Sequence, residues 1–303
     1  MLKIKRVLRL LTPPIFLILS RMLKGFIGRL KLHGCQSISY NAKNGGSIYI
    51  IGNGPSMNKT FDTALDILKA NECLAVNNFS TSLFFSIIKP SSYVVADPVY
   101  MNNPMSYAPV LKDRVEDMTK HLVEDVVWDM NVYLPDYSNG SYLVKKIKNN
   151  TRLHLFFYNN NGGALDEYPH LYYYLLNRNL IAPLGQTVLN TSLSLCITMR
   201  YSNIIILGAD SSWHEDYWMD QKTNELYCWS RHFYGTKKVK ICKDPQKTIP
   251  TRIHEELYSD SVAFKNYWIL ADYAKYNKVN VYNASASSWI DAFERMDLEA
   301  NKQ

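Results

Sequence analysis

Apolar and polar positions along this chain follow two periods. Ile48–Ile51, Cys73–Val76, Ser92–Ala96, Asn131–Leu134, Leu153–Tyr158, Asn203–Leu207 and Val279–Tyr282 are short apolar runs closed by turn-forming residues, and they read as strands. Phe61 to Ala70 has helical spacing, with Phe61, Leu65 and Leu68 on one face; Thr187 to Met199 and Val262 to Tyr276 read as further helices. Strands alternating with helices imply parallel pairing through crossover connections. The expected fold is therefore α/β, with a Rossmann-like, mostly parallel sheet.

The first strand runs into Gly52-Asn53-Gly54-Pro55-Ser56. A glycine turn that opens a helix brings unpaired backbone N–H groups and a partial positive charge to a ligand. Gly52 and Gly54 are expected to supply positive φ and close backbone approach, and Pro55 fits a first helical turn. An ordinary strand–turn–helix would carry the same punctuation. The predicted strands also finish in Asn53, Asn77, Asp97, Asn159, Asp210 and Asn283. Parallel strands place their carboxyl ends along one edge, where such folds bind ligands. Any one of these residues could be a turn former; six together predict a polar, mostly uncharged crevice.

Between Ser211 and Thr251 the periodicity breaks down, while aromatics and histidines accumulate: Trp213, His214, Tyr217, Trp218, Tyr227, Trp229, His232, Phe233 and Tyr234. A long connection of this kind suits an active-site lid, here about residues 211–256, or a satellite subdomain with its own aromatic core.

Charge changes the picture at one end only. The formal charge of the 303 residues is +7, yet the first 61 carry ten Lys/Arg and no acid before Asp62. The remainder holds 24 basic against 27 acidic residues, so a basic nucleic-acid face on the folded body is not expected. The N-terminal segment mixes Lys and Arg with Leu, Ile and Phe, and its uncharged run from Ile15 to Leu19 is too short to span a bilayer. Residues 1–43 are expected to form a basic amphipathic helix on an anionic membrane surface, or one packed on the domain with its charged face in water. Lys43-Asn44-Gly45-Gly46 reads as a linker, and 44–303 as the Rossmann-like domain. The five cysteines form no CxxC pair and no zinc spacing, which suits reduced thiols in the cytosol.

Taken together, Gly52-Asn53-Gly54-Pro55-Ser56, Val76-Asn77-Asn78-Phe79, Asp97-Pro98, Gln186-Thr187 and Ile204-Ile205-Ile206-Leu207-Gly208-Ala209-Asp210 resemble the bacterial lipooligosaccharide sialyltransferases of the Campylobacter and Haemophilus type. More broadly, they resemble the pterin-pyrophosphokinase-like superfamily that includes flagellin glycosylation factors. The likeness covers roughly residues 47 to 290. It implies a GT-A-variant-like domain acting as an inverting, metal-independent glycosyltransferase without a cofactor, using a CMP-activated sialic or related nonulosonic acid as donor and a cell-surface glycan or glycolipid as acceptor. By this resemblance Gly52, Asn53, Gly54, Ser56, Asn77, Asn78, Asp97, Pro98, Thr187 and Asp210 contact the donor. Asp97 stands where the family carries an amide. His232 is the implied general base and Tyr234 the assistant to the leaving group, with His214 and His254 as competitors for the base. The implied location is cytoplasmic, peripheral on the inner face of the membrane, with no nucleic-acid partner; a homo-oligomer is compatible with the sequence. A pterin-type pyrophosphokinase using ATP and Mg²⁺ on Asp97 and Asp210, or a non-catalytic module of a glycan-assembly complex, are the other readings.

Overall fold

The computed structural model describes residues 14–165 and 167–298; the basic residues Lys3 to Arg9 lie outside them. From the N-terminus come α1 (Pro14–Lys31), β1 (Ser47–Ile51), α2 (Met57–Ala70), β2 (Cys73–Val76), α3 (Leu83–Ile88) and β3 (Ser92–Val94). Next are α4 (Pro109–Glu124), β4 (Met130–Pro135), α5 (Tyr142–Ile147), β5 (Leu153–Tyr158), α6 (Pro169–Leu176), α7 (Val188–Met199) and β6 (Asn203–Leu207). The remainder comprises β7 (Tyr217–Met219), β8 (Leu226–His232), β9 (Gly235–Lys240), α8 (Ile253–Asn277), β10 (Asn280–Asn283) and β11 (Glu294–Arg295).

Eight strands build one parallel sheet in the order β11-β10-β6-β1-β2-β3-β4-β5. The chain winds outward from β1 to β5, then returns to lay β6 on the other side of β1. Ser47 pairs with Asn203 and Ile51 with Leu207. The β1/β6 boundary is thus the topological switch point, where loops leave in opposite directions and open a crevice.

The apolar runs follow from burial on both faces of the sheet. Ile48, Ile50, Ile204 and Ile206 enter a core shared with Tyr172, Leu193 and Tyr267 of α6, α7 and α8. Ile51, Ile205 and Leu207 point the other way, toward Phe61, Phe85, Met118 and Leu143 of α2 to α5. Each such side chain contributes about 1.5–3 kcal/mol relative to exposure, so the central strands are the most firmly determined part of the molecule.

Three features differ from the sequence expectation. Residues 43–46 are stitched to the α7–β6 corner: Lys43 N donates to Met199 O, Gly45 N to Arg200 O, and Ser202 N to Gly46 O. Helix α8 begins at Ile253, nine residues before the predicted start, because its first turns carry exposed Leu257 and Tyr258 and show no buried stripe. The aperiodic stretch after Ser211 contains an antiparallel sheet, β7-β8-β9. Its cross-strand pair Trp218 and Tyr227 stacks with ring centroids at 4.9 Å, and the Lys238 ammonium sits 3.9 Å over Trp218. Such a small sheet has little core to bury, so its strands lack regular apolar alternation.

Candidate active site

A cavity of about 240 Å³ opens at the switch point, between the loops that follow β1, β2 and β6, the start of α7 and strand β8. The β1 loop is shaped by close packing against β6. Neither Gly52 nor Gly54 takes a positive φ. A Cβ on Gly54 would lie 2.0 Å from Asp210 Oδ2, and a Cβ on Gly52 would lie 2.4 Å from Gly208 O. The glycines here admit the neighbouring loop, which differs from the approach to a ligand expected from sequence. Positive φ falls instead on Gly208 (+60°), whose missing side chain leaves room for Met57.

Asp210 caps α2 from across the switch point. Ser56 N donates to its Oδ1 at 3.1 Å and Ser56 Oγ to its Oδ2 at 2.7 Å. Burial raises the Asp210 pKa, while the Ser56 bonds pull it back. A carboxylate of this chain therefore occupies the helix N-terminus that sequence reading offered to a phosphate. Asp97 likewise turns inward on its own loop, accepting from Val99 N at 3.0 Å.

What faces the cavity is mostly neutral polar chemistry. Asn53 Nδ2 donates to Val76 O at 3.2 Å, while its buried Oδ1 has no partner. Asn77, at φ +42°, accepts from Ala96 N through its side chain. Ser211, at φ +52°, is buried with an unpartnered Oγ. Two non-glycine residues held in the left-handed region on one cavity wall mark stored backbone strain. Thr187 caps α7, accepting from Asn190 N at 3.1 Å, and also lines the cavity.

Two arginines line this wall, and one of them, Arg231, is held by the Asp216 carboxylate at 2.8 Å. Arg114, on α4, lines the cavity with its guanidinium carbon 5.6 Å from the Tyr100 ring centroid. Among the described residues no carboxylate is ion-paired with it; Asp97, Tyr100 and Tyr234 lie within its field. Sequence reading passed over it because the Lys, Asp, Arg and Glu of α4 look alike until the helix is docked.

His232 is delivered by the tip of the β8–β9 hairpin. Phe233 N donates to Asn53 O at 3.2 Å. The Phe233 ring sits among Phe61, Phe79 and Phe84 at centroid distances of 5.2, 5.6 and 6.4 Å. The hairpin is thereby pinned to the body one residue from the histidine. His232 Nδ1 lies 3.3 Å from Asn53 O and Nε2 lies 3.2 Å from Ser230 Oγ. A carbonyl can only accept, so the proton of this contact belongs to Nδ1, leaving the Nε2 lone pair for Ser230 or for a substrate hydroxyl. Burial and the Arg114 charge depress the His232 pKa to about 4. The ring is neutral at pH 7.

The structure brings Asn53, Gly54, Asn77, Thr187, Asp210 and His232 onto one cavity wall. Gly52, Ser56 and Asn78 stand behind them in the supporting loops. Tyr234 does not line the cavity; it stacks on His232 at 4.9 Å, with its hydroxyl pKa raised by burial and lowered by Arg114. Pro98 is exposed outside it. His214 packs against Trp289 at 4.5 Å, and its buried Nδ1 has no partner. His254 is exposed at the start of α8. Three of the six strand-end residues stay off the cavity lining: Asp97, bound to its own loop, and the two amides that serve the scaffold. Asn159 Nδ2 donates to Gly25 O and Asn179 O, and Asn283 binds Ser288 and Ile290 O.

This architecture is similar to a solved MAf glycosyltransferase from Magnetospirillum magneticum AMB-1, with a TM-score of 0.50 and 10% identity over 88% of this chain. The fold is Rossmann-like, of a kind found in glycosyltransferases. The chain spans 36% of that protein's length. No family model and no curated protein matches the sequence.

Proposed function

We propose that this chain is an inverting glycosyltransferase that transfers a sialic or related nonulosonic acid from a CMP-activated donor to a cell-surface glycan such as lipooligosaccharide or capsule. The observation that carries the reading is the neutral His232. It is oriented by the Asn53 carbonyl, lines a polar cavity with its Nε2 beside the Ser230 hydroxyl, and shares that cavity with the Arg114 cation. The Asn53 Oδ1, without a hydrogen-bond partner on a loop that lines the cavity, suits a ligand donor such as a cytosine amine or a ribose hydroxyl. Arg114 supplies the charge that a ulosonic carboxylate or the single donor phosphate requires. In the reaction, the acceptor hydroxyl gives its proton to His232 Nε2 and its oxygen attacks the anomeric carbon. The bond to phosphate breaks, and CMP leaves with the bonding electrons. The Asp97 and Asp210 side chains are engaged by Val99 and Ser56, a poor donor set for the Mg²⁺ of a pyrophosphokinase.

The test is CMP release from CMP-sialic acid and other nucleotide sugars, with and without EDTA. EDTA-insensitive release that His232→Ala abolishes supports the reading. Turnover only with Mg²⁺ and ATP, or full activity in His232→Ala, overturns it.

We also propose that α1 docks the enzyme on an anionic membrane at the cytosolic leaflet, beside a lipid-linked acceptor. Among the described residues no helix is long and apolar enough to cross a bilayer. Ile15, Phe16, Leu19, Leu23, Phe26, Ile27 and Leu30 form one exposed stripe, each 45–59% accessible. Gly25 and Gly28 are the buried contacts of the helix; a Cβ on Gly25 would lie 1.9 Å from Leu180 O. Close packing through glycines turns the large side chains outward, and exposed Lys24 and Lys31 flank them. Apolar insertion with cationic flanks suits an anionic interface.

A further inference from the structure

A second cavity of about 290 Å³ adjoins the first, with Thr187 and Trp213 forming part of the wall of each. Its remaining lining is Gln186, Tyr217, Glu256, Ser259, Asp260 and Ala263. The two cavities differ in charge. The first sets Arg114 and Arg231 against Asp210 and Asp216, whereas the second holds two half-buried carboxylates and no cation in its lining, their pKa values raised mainly by burial. Among the described residues neither Glu256 nor Asp260 is in an ion pair; Asp260 Oδ2 accepts from the Tyr217 hydroxyl at 3.0 Å. Gln186 Nε2 donates to Ser259 Oγ at 2.6 Å, fixing the amide toward α8.

We propose that this second cavity is the acceptor subsite and receives a neutral sugar ring. The inference rests on the transferase reading above. A pyranose needs an aromatic wall for its C–H face and strong acceptors for its hydroxyls. Trp213 and Tyr217 offer the first, Asp260 and Glu256 the second. The carboxylates repel an anionic acceptor, so the acidic sugar goes to the Arg114 cavity and the neutral one to its neighbour. Transfer requires two substrates in contact, and the shared Thr187–Trp213 wall is where two adjoining cavities bring them together.

The test uses ligand-observed NMR saturation transfer on the full chain, with methyl glycosides of galactose, glucose and N-acetylglucosamine and with methyl glucuronide, all without donor. At least one neutral glycoside receives saturation from the protein, methyl glucuronide does not, and Ser259→Tyr, which fills the cavity, removes the signal. Asp260→Asn weakens binding of that glycoside at least tenfold while CMP-sugar hydrolysis in water stays within twofold of the parent. Silence from every neutral glycoside, binding of the glucuronide alone, or an undiminished signal in both variants overturns the proposal. Thermal melts establish that the variants are folded. Because binding is read without donor, failure here is distinct from failure of CMP release, which tests the transferase reading.

Discussion

His232 combines two demands that pull against each other. A general base is most effective with a pKa near working pH, but burial and Arg114 hold this ring near 4 in the free protein. An anion bound at Arg114 cancels the second cause and raises the basicity of Nε2 when donor is present. The acid limb of kcat/KM, which reports the free enzyme, is therefore expected near pH 4, with activity falling as pH drops through it; the limb of kcat should lie higher. Arg114→Gln should move the kcat/KM limb upward, because the guanidinium depresses the histidine, and should raise the donor KM. Coincident limbs in pH profiles of the parent would show that no such coupling exists. Loss of Nε2 in His232→Ala should cost about 10²–10⁴-fold in kcat, with CMP binding retained by calorimetry.

At the scale of elements, the decisive contact is the hairpin tip on the body. Phe233 places His232, so Phe233→Ala should reduce kcat by more than its thermal destabilisation accounts for; that destabilisation is about 1–3 kcal/mol for a partly buried ring. Wild-type turnover in Phe233→Ala would mean that the hairpin is positioned by its other contacts. The β1/β6 loop pair gives a matching prediction of the structural kind. Gly208→Ala needs a strained backbone at φ +60° and a Cβ 2.3 Å from Met57 Cγ. It should lower stability by about 1–3 kcal/mol, measured by denaturant midpoint. The same logic separates Asn159 from the other strand-end amides. It clamps Gly25 O and Asn179 O, so its removal should loosen α1 and leave the cavity intact.

For the whole molecule, the prediction concerns where it sits. Vesicles containing phosphatidylglycerol should sediment the protein, phosphatidylcholine vesicles should do so poorly, and high salt should weaken the first association. Leu23→Glu with Phe26→Glu, both on the exposed stripe, should abolish co-sedimentation while the melting temperature is unchanged. If the paired variant instead converts a dimer to a monomer in light scattering, the stripe belongs to a second copy of the chain.

The central fold was legible because its signal is local. Strands β1, β2 and β6 are apolar runs that only a doubly covered sheet can bury, and their polar ends had to share one edge. Helices α3, α5 and α6 and the β7–β9 sheet left no such mark, since short helices and a thin sheet bury too little to enforce a period; α4, with Val115, Met118, Thr119 and Leu122 buried on one face, did carry a helical period in its sequence. At the site, the strand-end residues Asn53, Asn77 and Asp210 could be named from the pattern, and Thr187 and the hairpin's His232 only through the resemblance; which of them face the cavity could not be named from either. Sequence by itself determined the parallel α/β platform, the crowding of amides at its carboxyl edge and the basic apolar N-terminus, because each depends on neighbours in the chain. Only tertiary structure turned Asp210 onto Ser56, brought Arg114 from α4 into the cavity, seated Phe233 among the aromatics of α2 and α3, and set a second acidic cavity against the first. Those choices depend on contacts between residues distant in the chain, such as Ser56 and Asp210, 154 positions apart, which no local pattern records.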